Sequence, residues 1–329
     1  MVRLPRLELS RFRAVFAPPP NEDQEYLGSA WRGAFGHALK ESACMTHLPV
    51  CSKCSLYRTC TYSYVFETPP PIGAKKLRLY PAAPHPFVFQ VPLKGMHRLA
   101  SEELCLPFTL FGRGVNALAH FITALASAGD RGVGRCRTRY RLRRIELETA
   151  SGGWRLLAKV GDGIGEVRAA VPGLPLAPRQ VRVELQTPLS VRRQGRSVGA
   201  KALGFADVFS SLLRRISLLS NFHGAEPLET EFRGLTQAAR GIEFEAASLG
   251  DWKMQRFSTR QGAHVPMGGV TGHFTIDMGK AEPLWPYLWL GQWTHAGRAA
   301  TMGLGRYRIT DVASLQSLPG TPAPANMYP

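Results

Sequence analysis

HAGRAATMGLGRYRI, His295 to Ile309, sets two glycines around one apolar residue at Gly303-Leu304-Gly305 and leaves through an alternating basic segment. Glycine allows the backbone to turn at positive φ and lets another backbone come close, so such a loop suits a phosphate chain. Arg298, Arg306 and Arg308 add three cations to it. Taken alone, a glycine-rich loop is most often a turn. This one has an earlier copy, AGDRGVGRCRTRYRL from Ala128 to Leu142, in which Gly132-Val133-Gly134-Arg135 repeats Gly303-Leu304-Gly305-Arg306. Each copy follows a helix-like apolar stretch, Val115 to Ala126 and Leu284 to Trp293, and each enters a strand-like basic run. Duplication of one α+β unit is the simplest reading.

The composition narrows the partner. Of 329 residues, 41 are Lys or Arg against 24 Asp or Glu, a net charge of +17. Such an excess finds its natural counter-ion in a nucleic acid. The sequence has no apolar run long enough to span a membrane and no basic amphipathic helix, so no membrane role is expected. MVRLPRLELSRFRAVF alternates charged and apolar residues, which reads as a strand and not as a signal peptide. The expected location is cytoplasmic, with reduced thiols.

Leu7, Leu9, Phe12, Ala14 and Phe16 form that first strand, with a slip of phase at Ser10-Arg11 read as a bulge. From Leu27 to Leu39, apolar residues at i, i+3 and i+4 predict an amphipathic helix whose other face carries Ser29, Gly33, Gly36 and Lys40. Small residues on a helix face imply close packing against a strand or close approach of RNA or of a Gly-rich loop. Arg32 and His37 flank that face. Cys44, Cys51, Cys54 and Cys60 then fall within 44–60, an insertion whose thiolates suit one tetrahedral metal. Zinc in a closed, structural site is expected. An iron–sulfur cluster takes the same ligands, and His47 offers a substitute for one of them.

Arg135, Arg137, Arg139, Arg141 and Arg143 occupy alternate positions, which in a strand sets five guanidinium groups on one face. A row of like charges repels itself and makes sense opposite phosphates. Gly and Pro mark a linker near 161–175, after which Val181, Val183 and Leu185 open another strand. A basic loop at Arg192, Arg193 and Arg196 precedes an amphipathic helix from Phe205 to Leu219. Strand, helix, strands, helix, strand thus recurs, the ferredoxin-like or RRM-like order. The fold class is α+β, with two tandem ferredoxin-like domains over 1–170 and 178–318 and a disordered tail over 319–329.

At this point the second half resembles the CRISPR precursor-RNA processing endoribonucleases of the RAMP superfamily. The resemblance rests on Arg256-Phe257-Ser258-Thr259-Arg260-Gln261, Met267-Gly268-Gly269-Val270-Thr271-Gly272, and Thr294 to Arg298 with Thr301 to Gly305. In the first half it rests on Gly28 to Gly36 and on the cysteines leading to Tyr64-Val65-Phe66-Glu67. Arg298 and Met302 stand where the family commonly has Lys and Phe. The resemblance implies binding of a CRISPR repeat hairpin across the basic faces, cleavage at its 3′ side without a metal, and retention of the mature crRNA among the backbone subunits of an effector complex. Candidate RNA contacts are the five arginines from Arg135 to Arg143, with Arg192, Arg193, Arg196, Lys201, Arg256, Arg260, Gly297, Arg298, Gly303, Gly305 and Arg306.

Metal-free cleavage needs a group to activate the 2′-hydroxyl, cations to stabilise the phosphorane and an acid for the leaving 5′-oxygen. His37 is the first candidate for proton transfer, with Arg32 or Lys40 beside it. His295, opening the Gly-rich loop, is the second. His223 is the third, although a place at a helix end accounts for it without chemistry. Scattered carboxylates such as Glu102-Glu103 give no two-metal signature. The alternatives are a non-catalytic crRNA-binding subunit and, more weakly, a zinc-bearing DNA-binding protein.

Overall fold

The computed structural model describes residues 5–22, 25–70, 83–258 and 262–316. Arg260 and the 319–329 tail lie outside them. The first half contains β1 (Leu9–Phe16), α1 (Gly28–Ala43), β2 (Phe87–Phe89), β3 (His97–Arg98), β4 (Leu104–Phe111), α2 (Leu118–Arg131), β5 (Leu142–Glu148) and β6 (Trp154–Lys159). Its sheet runs β2-β4-β1-β5-β6 with β3 also on β4, and its pairs are antiparallel. The second half has β7 (Gln180–Leu189), a short hairpin of β8 (Arg192–Arg193) and β9 (Arg196–Ser197), α3 (Phe205–His223) and α4 (Phe232–Arg240). It continues with β10 (Ala246–Ser258), β11 (Ala263–Asp277), α5 (Met278–Ala281), α6 (Trp285–Thr294) and β12 (Tyr307–Asp311). The second sheet is ordered β10-β11-β7-β12. In the first sheet β1 lies between β4 and β5, and in the second β7 lies between β11 and β12. In each the first strand sits between the strand before a helix, α2 or α6, and the strand after it, so two ferredoxin-like domains stand in tandem.

Each sheet buries one face under its two helices. In the first domain Phe12, Phe16, Trp31, Phe35, Phe108 and Phe121 share one core, and the rings of Phe35 and Phe121 lie 4.6 Å apart. In the second, Phe205, Phe209, Leu212 and Ile216 of α3 meet Val181, Val183, Phe274 and Ile276. The phase slip in β1 is not a bulge at Ser10-Arg11. Register against β4 is continuous from Leu9↔Phe111 to Phe16↔Leu104, and the irregularity lies at Val15/Phe16 against β5. Leu7 and Leu9 pack into the second domain's core while Phe12, Ala14 and Phe16 pack into the first, so the strand changes its apolar face where it changes partner.

The second helix differs from its expected span. A 3-10 turn covers Gly112–Ala117, and α2 continues to Arg131. Gly129 permits this, because a Cβ there would stand 2.1 Å from the Tyr140 carbonyl.

The five-arginine row is likewise only partly a strand. Positive φ at Gly132, Gly134 and Arg137 folds Arg135 to Arg139 into a tight turn, and β5 begins at Leu142. All five arginines are exposed, but alternation with the buried Tyr140 and Leu142 holds only from Arg139 to Arg143.

Candidate nucleic-acid interface

The Gly-rich loop after α6 is where the two domains meet. A helical turn at Ala300–Met302 packs on α1 and β2 of the first domain. Leu304 is fully buried in the first domain's core. The Tyr26 hydroxyl donates to the Met302 carbonyl, and a Cβ on Gly28 would lie 1.9 Å from that same oxygen. Close approach of a Gly-rich loop is therefore what the small residue at the start of α1 permits. Gly36 instead receives the Phe66 ring, and Gly33 has open space beside it.

This placement corrects three expectations. Gly303 and Gly305, both at positive φ, spend their N–H groups inside the protein, on Ala300 and Pro188 carbonyls. They fold and dock the loop and do not face a phosphate. His295 is wholly buried at positive φ, its Nδ1 within 3.2 Å of the Leu304 carbonyl. It ties the two ends of the loop together and does not reach a surface where RNA would lie. Arg306 also turns inward, with Nη1 3.3 Å from His97 Nε2. Burial, then the nearby Arg11, lowers its pKa to about 10.

The candidates on α1 separate by face. Arg32 holds Thr301 of the loop through Nε at 3.0 Å and His85 through Nη2 at 3.1 Å, with its guanidinium 4.4 Å from the Phe66 ring. It positions the loop. His37 lies on the other row with Ser29 and Gly33, at i+4 spacing, and is exposed. Lys40 is its i+3 neighbour, the ammonium 5.8 Å from the Tyr62 ring. Of the three histidines singled out in the sequence, His37 alone is solvent-accessible: His223 is buried, with Nε2 2.7 Å from the Pro84 carbonyl and Nδ1 3.1 Å from the Tyr64 hydroxyl.

Two half-buried histidines, His85 and His97, had no signature in the sequence. Burial first, and Arg32 second, lowers the His85 pKa to about 3. Burial and Arg306 take His97 to about 4, and burial takes His223 to about 4. His295 is lowered well below its ordinary value, again chiefly by burial. All four are neutral at pH 7. Because their folded pKa values lie below the unfolded value of about 6.5, the unfolded chain binds more protons between the two. The stability they contribute is complete above about pH 6.5 and is lost as pH falls through the folded values. The thermal unfolding midpoint is expected to decline from about pH 6.5 towards 4. A midpoint constant across that window would contradict these burials.

A cleft of about 1030 Å³ opens between the β10–β11 hairpin and the exposed side of the loop. Arg192, Lys253, Arg256 and Arg298 line it together with Trp252 and Met302. Cations beside an aromatic ring suit a strand whose phosphates and bases are both held. Of the other expected contacts, Arg196 and Lys201 are exposed, and Arg193 pairs with Asp207, Nε to Oδ1 at 2.9 Å. The Gly297 N–H donates to the Ser211 hydroxyl at 2.9 Å.

Cys44, Cys51, Cys54 and Cys60 are half-buried and free. Burial raises the Cys51 thiol first, and Cys44 and Cys60 are close enough to raise it further. Among the described residues, however, no group of three or more His, Cys, Asp or Glu side chains is arranged to hold a metal ion.

The fold is thus two ferredoxin-like domains in tandem, clasped through a Gly-rich loop and flanked by a basic cleft. A family model described as the CRISPR-associated endoribonuclease Cas6 matches residues 183–307, and one described as an N-terminal domain matches residues 7–170. Among solved structures, a Cas6 product complex is similar at 16% identity and a TM-score of 0.55, covering 92% of this chain and 99% of that one. Thermus thermophilus Cas6 is similar at 16% and 0.52, with coverages of 92% and 99%. A partial Cas6-RT-Cas1–Cas2 complex is similar at 14% and 0.52, covering 93% of this chain and 47% of that one. At these identities the likeness is one of fold. No curated protein matches the chain. Residues 183–307 thus carry the match to the CRISPR-associated endoribonuclease family Cas6, and the first half carries the match to the N-terminal domain model. No helix among the described residues is long and apolar enough to cross a membrane.

Proposed function

We propose that the enzyme cuts the repeat at the base of its hairpin by attack of a 2′-hydroxyl on the adjacent phosphorus. The 2′-oxygen forms the new bond, the 5′-oxygen leaves, and the products carry a 2′,3′-cyclic phosphate and a 5′-hydroxyl. His37 moves a proton, either from the 2′-hydroxyl or to the leaving oxygen, and Lys40 faces the charge gathered on the phosphorane. The supporting observation is that His37 stands exposed beside the open surface at Gly33, on the helix that clasps the Gly-rich loop. Burial lowers the pKa of His85, His97, His223 and His295 and leaves those four without a proton to give at pH 7. The enzyme then retains its product for an effector complex, because a basic cleft binds the cut strand through the same phosphates as the uncut one.

The test is a labelled repeat hairpin in excess EDTA, beside a matched RNA carrying a single 2′-deoxy at the mapped site. The all-ribose strand is expected to be cut and the deoxy strand to remain whole. Cutting of the deoxy strand would refute 2′-hydroxyl attack. Tight binding of both with no cutting of either would leave a guide-holding subunit.

A further inference from the structure

A second recess, of about 980 Å³, lies on the far side of Arg192 and Arg298, which line both it and the first cleft. Its walls come from the β8–β9 hairpin, α3 and α4, and six arginines line it: Arg192, Arg193, Arg214, Arg215, Arg240 and Arg298. Its one carboxylate, Asp207, is taken by Arg193. Arg215 is the telling member. Its Nε donates to the Thr294 carbonyl at 2.5 Å, while its Nη2 is shielded from solvent and has no hydrogen-bond partner. A guanidinium nitrogen left so costs stability unless a ligand atom accepts from it. Burial lowers the Arg215 pKa to about 10, and among the described residues no acidic group offsets this. The Ser211 hydroxyl accepts from Gly297 N–H and so keeps its own hydrogen to donate.

We propose that this recess binds the sugar–phosphate backbone of single-stranded RNA flanking the hairpin, with a phosphate oxygen on Arg215 Nη2 and the strand entering from the first cleft past Arg192 and Arg298. The inference rests on the reading that the substrate is a repeat RNA. Three observations choose this ligand. The lining is cationic, which calls for an anion of several charges. It contains no aromatic ring, so bases are not stacked there and the contact reads backbone and not sequence. The orphan nitrogen is recessed, and a flexible strand bends to reach it where a rigid duplex does not.

The experiment measures affinity against salt for two RNAs, the repeat hairpin with its single-stranded flanks and the same hairpin trimmed to its stem and loop. The proteins are wild type, Arg215→Gln and Arg240→Ala. Arg240 is exposed on α4, so its replacement leaves the core intact should Arg215→Gln fail to fold. For the flanked RNA, each variant is expected to lower the slope of log affinity on log salt by about 0.7 for each phosphate it no longer neutralises. The trimmed RNA should bind all three proteins alike. Unchanged slopes with the flanked RNA, or equal weakening with both RNAs, would overturn the proposal. Wild-type binding and cutting of the trimmed hairpin report separately on the function proposed above. If wild type binds neither RNA, that reading falls and this one with it.

Discussion

His37→Ala is expected to slow cleavage of the repeat hairpin by about 10²–10⁴-fold, the contribution of one positioned proton-transfer group, while retaining affinity for the uncleavable 2′-deoxy RNA. The separation of the two readouts follows from where the side chain sits. His37 projects from the exposed row of α1, and no described core cluster includes it, so its loss leaves the helix and the loop it clasps in place. Arg32→Ala should behave differently. It removes the link to Thr301 across the domains and the contact with His85 within the first, so binding and stability should fall together with the rate. Measured single-turnover rates at saturating protein, with thermal midpoints for both variants, separate the two roles. A His37→Ala protein that cuts at the wild-type rate would remove this histidine from the chemistry.

The tandem arrangement was open to reading because its signals are local. Helix, Gly-rich loop and basic run recur within short windows, and the paired glycines Gly132 with Gly303 and Gly134 with Gly305 do share positive φ. The site was legible only in part, because what decides it is contact across the chain. Arg32 meets Thr301 from 269 positions away, and nothing near either residue records that. The same holds for His295: a histidine opening a Gly-rich loop looks available until Leu304 enters the other domain's core and draws the imidazole under it. The row from Arg135 to Arg143 misleads for the opposite reason. Period-two alternation is a strand signal, yet three residues at positive φ convert its first half to a turn while preserving the exposure of every arginine.

Gly305→Ala is the substitution expected to do most damage to the fold. Gly305 has φ +71, where an ordinary residue costs about 1–2 kcal/mol. That alone is tolerable in a chain of this size. The larger effect is steric: a Cβ at this position would stand 1.7 Å from the Ala296 carbonyl oxygen, which is backbone and cannot swing aside. The two backbones are held together because Ala296 N–H donates to the Gly305 carbonyl at 2.9 Å. Relieving the clash means opening the loop, which withdraws Leu304 from the first domain and frees His295 from its carbonyl partner. A destabilisation above about 4 kcal/mol is expected, the range reached when packing and buried polar contacts fail together. Gly152→Ala supplies the comparison, since Gly152 has φ +81 but nothing within 4 Å of an added Cβ. It should show the conformational cost alone. Thermal midpoints for the two variants within a degree of each other would mean that the loop yields more easily than its contacts imply. A Gly305→Ala protein that melts far below Gly152→Ala and loses RNA cleavage would show that the loop acts by holding the domains in register.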